Sequence, residues 1–109
     1  FPTANIDYGS YFLPCGGVYA VKVIINQNTY MGMCNIGYNP TFQPLDKASL
    51  EVHILDFNHD IYGKEIYVEF YDLIRKEKPF HSKEELIQQL YKDREYVREY
   101  FSQIAKEIN

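Results

Sequence analysis

The chain has no tryptophan, only two cysteines, and no apolar run approaching the roughly 18 residues of a membrane span. Two cysteines, Cys15 and Cys34, are too few to staple a small secreted domain, and they read as free thiols of a reducing compartment. No secretory signal pattern is visible. These absences set the expectation of a cytoplasmic protein that does not engage a membrane. Positive charge is also in deficit, with 11 Lys and Arg against 15 Asp and Glu and a formal net charge of -4. That balance argues against non-specific binding to nucleic acid. It does not exclude a nucleotide, because a metal ion and backbone donors can carry phosphates. A Gly-rich loop ending in Gly-Lys-Ser/Thr is missing, which excludes a P-loop enzyme. The protein-kinase signatures are missing as well. There is no internal repeat and no low-complexity stretch.

Aromatic residues, by contrast, are abundant. They make up 17% of the 109 residues, and eleven are Tyr. That favours strands and a core whose polar tips reach water or partners, and the length suits one domain. Gly17 to Ile25 is rich in β-branched residues and Tyr, and Asn26-Gln27-Asn28 supplies a turn. Thr29 to Ile36 returns as the second arm of a hairpin. Tyr38 to Ser49 has two prolines and no periodicity, and reads as a long loop. Leu50 to Phe57 and Glu65 to Ile74 read as two more strands, with turn residues at Asn58-His59-Asp60 and Tyr62-Gly63. Ile66, Val68 and Phe70 fall on one face of the last strand. Successive strands with short turns are antiparallel. With the N-terminal segment they predict a mostly β fold, a small antiparallel Greek-key barrel over residues 1 to about 80.

One long C-terminal helix is predicted to pack on that barrel, from about residue 82 to 108. Pro79 and Phe80 stop the last strand, Ser82 is a good N-cap, and Glu85 completes a capping box. Leu86, Leu90, Asp93, Val97, Tyr100 or Phe101, Ile104 and Ile108 recur at helical spacing and form the stripe expected to face the barrel. Lys83, Glu84, Lys92, Arg94, Glu95, Arg98, Glu99 and Lys106 fall largely on the wet side. Asp93 is the one acid on or beside the stripe, where it can cap or brace a loop.

Several residues are candidates for chemistry. Thr3 and Asn5 stand two apart, so in an extended segment their side chains point to one side. A hydroxyl and an amide oxygen are neutral, hard ligands that suit a Mg²⁺ ion shared with phosphates. On the residues alone the plainer reading is a turn, since Pro, Thr and Asn are ordinary turn residues. The strand Leu50 to Phe57 alternates, with Leu50, Val52 and Ile54 on a core face and Glu51, His53, Leu55 and Phe57 on the other. Partial burial of Glu51 would raise its pKa and make it a better base near neutral pH. On the residues alone the plainer reading of Glu51 is a cross-strand partner for a Lys or Tyr on an exposed face. His53 reads as its packing or hydrogen-bonding neighbour. Gly37 after Asn35-Ile36 permits close approach of a ligand to the backbone. Arg75 suits a phosphate or a structural ion pair with Glu77 or Asp72.

Six motifs follow one another along nearly the whole chain: Phe1-Pro2-Thr3-Ala4-Asn5, Gly17-Val18-Tyr19-Ala20-Val21, Asn35-Ile36-Gly37-Tyr38-Asn39-Pro40-Thr41-Phe42, Leu50-Glu51-Val52-His53, Tyr62-Gly63-Lys64 and Ile74-Arg75. In this order they resemble the riboflavin kinases, and in particular the kinase domain of bacterial bifunctional riboflavin kinase/FMN adenylyltransferases. The resemblance implies transfer of the ATP γ-phosphate to the ribityl terminal hydroxyl of riboflavin, giving FMN. It implies Mg²⁺ with ATP at Thr3 and Asn5, and Glu51 as the base. It implies that Asn35, Gly37 and Asn39-Pro40-Thr41-Phe42 border the ligand cleft, with the loop acting as a flap. Tyr71 to Arg75 and Glu77 to Phe80 resemble the part that meets adenine and flavin, which makes Tyr71, Arg75 and Phe80 binding candidates. An FMN adenylyltransferase domain is the implied N-terminal neighbour. In the family a Gly-rich strand with a Gly-Arg pair precedes the first motif, so the 109 residues are expected to lack the first barrel strand and to work poorly without it. Two rivals share the architecture. An oligonucleotide-binding barrel is disfavoured by the acidic balance and the lack of a basic stripe. The other is a ligand-binding or structural module without activity of its own.

Overall fold

A computed structural model of the chain describes residues 3–9, 12–38, 48–61 and 63–108. Five strands form one antiparallel sheet: β1 (Ala4–Asn5), β2 (Gly17–Ile25), β3 (Asn28–Gly37), β4 (Ser49–Ile54) and β5 (Tyr67–Arg75). Helix α1 (Lys83–Ile108) follows. The strand order is β1-β4-β3-β2-β5. Strands β2, β3 and β4 are consecutive neighbours, and β5 returns to lie beside β2, which is the Greek-key connection.

The β2–β3 hairpin turns on two residues, Asn26 (φ 51°) and Gln27 (φ 71°), with Ile25 paired to Asn28. Two positive-φ central residues make the type I′ turn whose twist suits a hairpin. The pairing therefore begins at Asn28, one residue before the predicted start of β3. Strand β4 ends at Ile54, short of the predicted Phe57, because Asp56 adopts φ 55° and the chain turns away. The Leu55 N–H still donates to Met31 O at 2.9 Å. Strand β5 runs two residues later at its start than predicted and one later at its end.

The two faces of the sheet bury different sets. One holds Tyr19, Val21, Val23, Ile25, Cys34, Ile36, Leu50, Val52 and Ile54, with Ile66, Val68 and Phe70 packed against them. The other holds Ala20, Met33 and Leu55 under Val97 and Phe101 of α1. Period-two alternation places both sets. The helix docks through its predicted stripe, with Asp93, Val97 and Phe101 buried and Leu90, Tyr100 and Ile104 partly so. The side chain of Ile108, the last member of that stripe, lies outside the described residues. Ser82 Oγ accepts the Glu85 N–H at 3.1 Å, and Glu85 Oε2 reaches back to the His81 N–H at 3.3 Å. Arg98, expected on the wet side, is half-buried and ties the helix to the Asp56 turn at 2.9 Å.

Closure of the barrel is where the described strands differ from the expectation. β1 and β5 end the sheet, and no ladder joins them among the described residues. A cleft of about 680 Å³ is lined by Ile6, Tyr8, Phe12 and Leu13 of the segment that follows β1 and by Ile66, Tyr67, Val68 and Phe70 at the start of β5.

Candidate active site

Cross-strand partners share a face, so register decides which side chains meet. Asn5 pairs with Glu51, Glu51 with Asn35, Asn35 with Val18, and Val18 with Arg75. These five residues form one row that crosses all five strands on the helix-bearing face. At the usual spacing of neighbouring strands the row is about 19 Å long. Four of its members, Asn5, Asn35, Glu51 and Arg75, are predicted site residues.

A cleft of about 270 Å³ lies along the row, between the sheet and the first half of α1. Thr3, Asn35, Glu51 and His53 line one part of it. Val18, Arg75, Phe80, Leu86 and Leu90 line the part under the helix. Glu51 and His53 are half-buried side by side on the same face of β4. Leu86 is still 37% exposed although it belongs to the apolar stripe, so the helix leaves this wall open. Thr3 also borders a neighbouring cleft with Phe57, Asn58, His59 and Asp60, and Asn5 borders a third with Asp60, Gly63 and Lys64. The N-terminal segment is thus the junction of three clefts.

At the opposite end, Gly17 lets the Arg75 backbone come close. Its φ is 146°, and a Cβ there would meet Arg75 O at 2.9 Å and Leu73 Cδ1 at 2.7 Å. Arg75 donates to Asp93 through Nε at 3.0 and 3.1 Å and through Nη2 at 2.9 Å. The sequence suggested Glu77 or Asp72 as its partner. Asp72 instead accepts the Tyr96 hydroxyl at 2.9 Å, and Glu77 turns toward the Tyr38 N–H at 3.5 Å. Asp93 was visible as an acid on the stripe, but its partner lies eighteen residues away and on another element.

The remaining candidates lie elsewhere. Gly37 faces Glu77 and Ser49, whose oxygens would each stand 3.0 Å from an added Cβ. Tyr71 is turned to the helix, in an edge contact with Phe101 at 5.1 Å and under Lys22 Nζ at 5.2 Å, and is not among the cleft's lining residues. The expected flap residues Asn39, Pro40, Thr41 and Phe42 lie outside the described residues, as do Phe1 and Pro2. Val18, Met33, His53, Leu86 and Leu90 line the cleft without having been singled out as ligand contacts, whereas Lys78 falls in the Glu77 to Phe80 stretch expected there. Strand and helix alternation put them on the right faces, but only register shows that they converge.

The riboflavin kinase family model matches residues 1–101. A bifunctional riboflavin kinase/FMN adenylyltransferase of Bacillus subtilis (strain 168) is 45% identical over 109 residues, which is 97% of this chain and 34% of that protein. The chain belongs to the riboflavin kinase family. Its resemblance to the Listeria monocytogenes bifunctional enzyme is similar, at 46% identity over 105 residues, 95% of this chain and 33% of that protein. The chain therefore spans about a third of the length of these relatives. Among solved structures, a chain described as a macrolide-efflux protein from Streptococcus pneumoniae superposes with a TM-score of 0.81 at 41% identity, over 89% of this chain and 32% of that one. Among the described residues no helix is long and apolar enough to cross a membrane. Described residues of five of the six motifs, Thr3 and Asn5, Val18, Asn35, Glu51 and His53, and Arg75, thus meet along the row and its cleft in this riboflavin kinase family member, while Gly63 and Lys64 line a neighbouring cleft.

Among the described residues no group of three His, Cys, Asp or Glu side chains could hold an ion. Thr3, just before β1, and Asn5 within it are both exposed and offer neutral oxygens only. That fits an ion that arrives with phosphates and keeps its waters, and it does not fit a resident metal held by the protein.

Proposed function

We propose that this domain is an ATP:riboflavin 5'-phosphotransferase, and the row Asn5–Glu51–Asn35–Val18–Arg75 is the observation that carries the proposal. Its ends differ in chemistry. The β1 end offers the hydroxyl of Thr3 and the amide of Asn5 beside open clefts, which suits Mg²⁺ bound to ATP phosphates. The ion would neutralise charge on the transferred group. The helix end is walled by Phe80, Leu86 and Leu90 with the Arg75 guanidinium beside them, which suits the flavin ring. Glu51 stands one strand in from Asn5, about 4.8 Å along the row, so it is next to the place where a ribityl hydroxyl would meet the γ-phosphate. Glu51 takes the hydroxyl proton, the hydroxyl oxygen bonds to the γ-phosphorus, and the β–γ bridging bond breaks to release ADP and leave FMN. Most of the acceleration comes from alignment and charge placement.

The bifunctional relatives are about three times as long as this chain. We extend the proposal to a cytoplasmic full-length protein in which residues 1–109 are the kinase domain and an FMN adenylyltransferase domain lies on the N-terminal side. The decisive experiment compares wild type with Glu51→Gln for FMN formation from riboflavin and Mg-ATP. Loss of a general base costs roughly 10²- to 10⁴-fold in kcat, while riboflavin binding should persist. A Glu51→Gln rate within a factor of about two of wild type, well below the usual effect of a base, would remove Glu51 from this role. A wild type that binds riboflavin without turnover would favour a binding module.

A further inference from the structure

Asp93 is the buried charged residue of the described core, at 3% exposure. It sits one turn before Val97 in the stripe that α1 lays on the sheet. A carboxylate there loses its hydration, and only close partners offset that loss. Two residues supply them. Arg75 grips both oxygens through Nε and Nη2 at 2.9 to 3.1 Å. Gln89, one turn earlier on the same helix, donates Nε2 to Oδ1 at 2.9 Å. Buried pairs of this kind are often no more stabilising than apolar side chains of similar volume, so stability alone is a weak reason for one here.

The position of the pair supplies a better reason. Arg75 ends the five-residue row and lines the cleft. Its bonds to Asp93 and the one from Nη1 to Lys76 O at 3.3 Å engage three of its five N–H groups. The guanidinium carbon lies 5.8 Å from the Phe80 ring centroid. One edge of the fork is therefore fixed from behind while the group still borders the cleft, and the pair as a whole carries no net charge.

We propose that Asp93 and Gln89 are positioning residues that aim Arg75 at the flavin end of the cleft. They hold the guanidinium in one orientation and cancel its charge, so it offers hydrogen bonds to a neutral, planar ligand without drawing nucleotide phosphates to the wrong end. This inference rests on the kinase reading of the cleft. It predicts that the two helix residues affect riboflavin recognition through Arg75 and leave the nucleotide end alone.

The test uses the full-length protein with riboflavin fluorescence quenching and steady-state kinetics for Asp93→Asn, Arg75→Lys and their combination. Asp93→Asn should raise riboflavin Kd and KM roughly tenfold, with the Mg-ATP KM changed less than about twofold. In the Arg75→Lys background the same change should add little, because both act through one group. If Asp93→Asn does not fold, Gln89→Leu keeps the ion pair and should raise riboflavin Kd by about threefold. A folded Asp93→Asn with a lower Tm but unchanged riboflavin affinity would make the pair structural only and overturn the proposal, and so would independent, multiplying effects of Asp93→Asn and Arg75→Lys. A wild type that neither quenches riboflavin nor makes FMN would overturn the kinase reading itself, an outcome distinct from an active enzyme indifferent to Asp93.

Discussion

Two substitutions on one helix stripe should divide stability from ligand binding, and the structure gives their sizes. Val97 is fully buried against Ala20, Met33, Leu55 and Phe101. Val97→Ala removes two methyl groups at about 0.8 kcal/mol each in transfer terms. If about half of a void of roughly 50 Å³ stays open, the cavity adds about 0.6 kcal/mol. The expected loss is about 2 kcal/mol, within the margin of a typical domain. Urea melts should show it as a midpoint lower by about 1 to 2 M, at an m-value near the low end for small proteins. Leu86 lies three turns earlier on the stripe but is 37% exposed and lines the cleft. Leu86→Ala should cost only about 1 to 1.5 kcal/mol, because partial exposure reduces the roughly 0.8 kcal/mol carried by each of its three lost carbons and no closed cavity is left, yet raise the riboflavin KM. A Val97→Ala loss below about 0.5 kcal/mol, the range of surface substitutions, would mean that α1 is not docked as described. Equal losses for both variants would mean that the wall at Leu86 is closed, and the proposed flavin end would lose its support.

Other expectations follow from separate parts of the molecule. Thr3→Ala and Asn5→Ala should weaken Mg-ADP binding in calorimetric titration while leaving riboflavin binding in place, and unchanged nucleotide affinity in both would return the segment to a plain turn. Gln27 holds φ 71° in the β2–β3 turn, so Gln27→Gly should stabilise by about 0.5 to 1 kcal/mol in thermal or urea melts. Cys34 is fully buried, and burial pushes its thiol from 9.0 up to about 12. The raised value means that its contribution to stability is fully present below pH 9.0 and is lost as pH rises toward about 12, because the unfolded thiol ionises first. Melts across that window should show the decline, and Cys34→Ala should flatten it. Native-state alkylation followed by mass spectrometry should label the exposed Cys15 and spare Cys34.

Much of the architecture was legible because local rules govern it. Alternation in Leu50 to Ile54 separated the core face from the face with Glu51 and His53, and burial agrees. The capping box at Ser82 and Glu85 fixed the start of the helix within one residue. The end of β4 was not legible, because Leu55 still falls on the face predicted for it, under α1, while Asp56 breaks the strand through a positive φ that its residue type merely tolerates. The partner of Arg75 was not legible either. Sequence proximity favoured Asp72 and Glu77, and only tertiary packing brings Asp93 within 2.9 Å.

The row itself shows where local reading stops. The two-residue turn at Asn26 and Gln27 fixes the whole β2–β3 register, and with it the pairing of Val18 with Asn35. Nothing comparable fixes β2 against β5. That ladder begins with Ile24 opposite Tyr67, and at constant register Val18 would face Leu73. Two irregularities, between Ala20 and Val21 and between Val18 and Tyr19, each shift the pairing by one residue. Together they bring Arg75 opposite Val18. A shift of one residue exchanges the two faces of a strand, and a shift of two restores the face but moves every side chain along it. Face assignment therefore survives the bulges, while position in the row does not. Gly17 stands where this last pairing is made, and its missing Cβ leaves room for Arg75 O. The guanidinium reaches both the cleft and Asp93 because β5 is bulged twice, a feature of the strand pairing that alternation in the sequence does not encode.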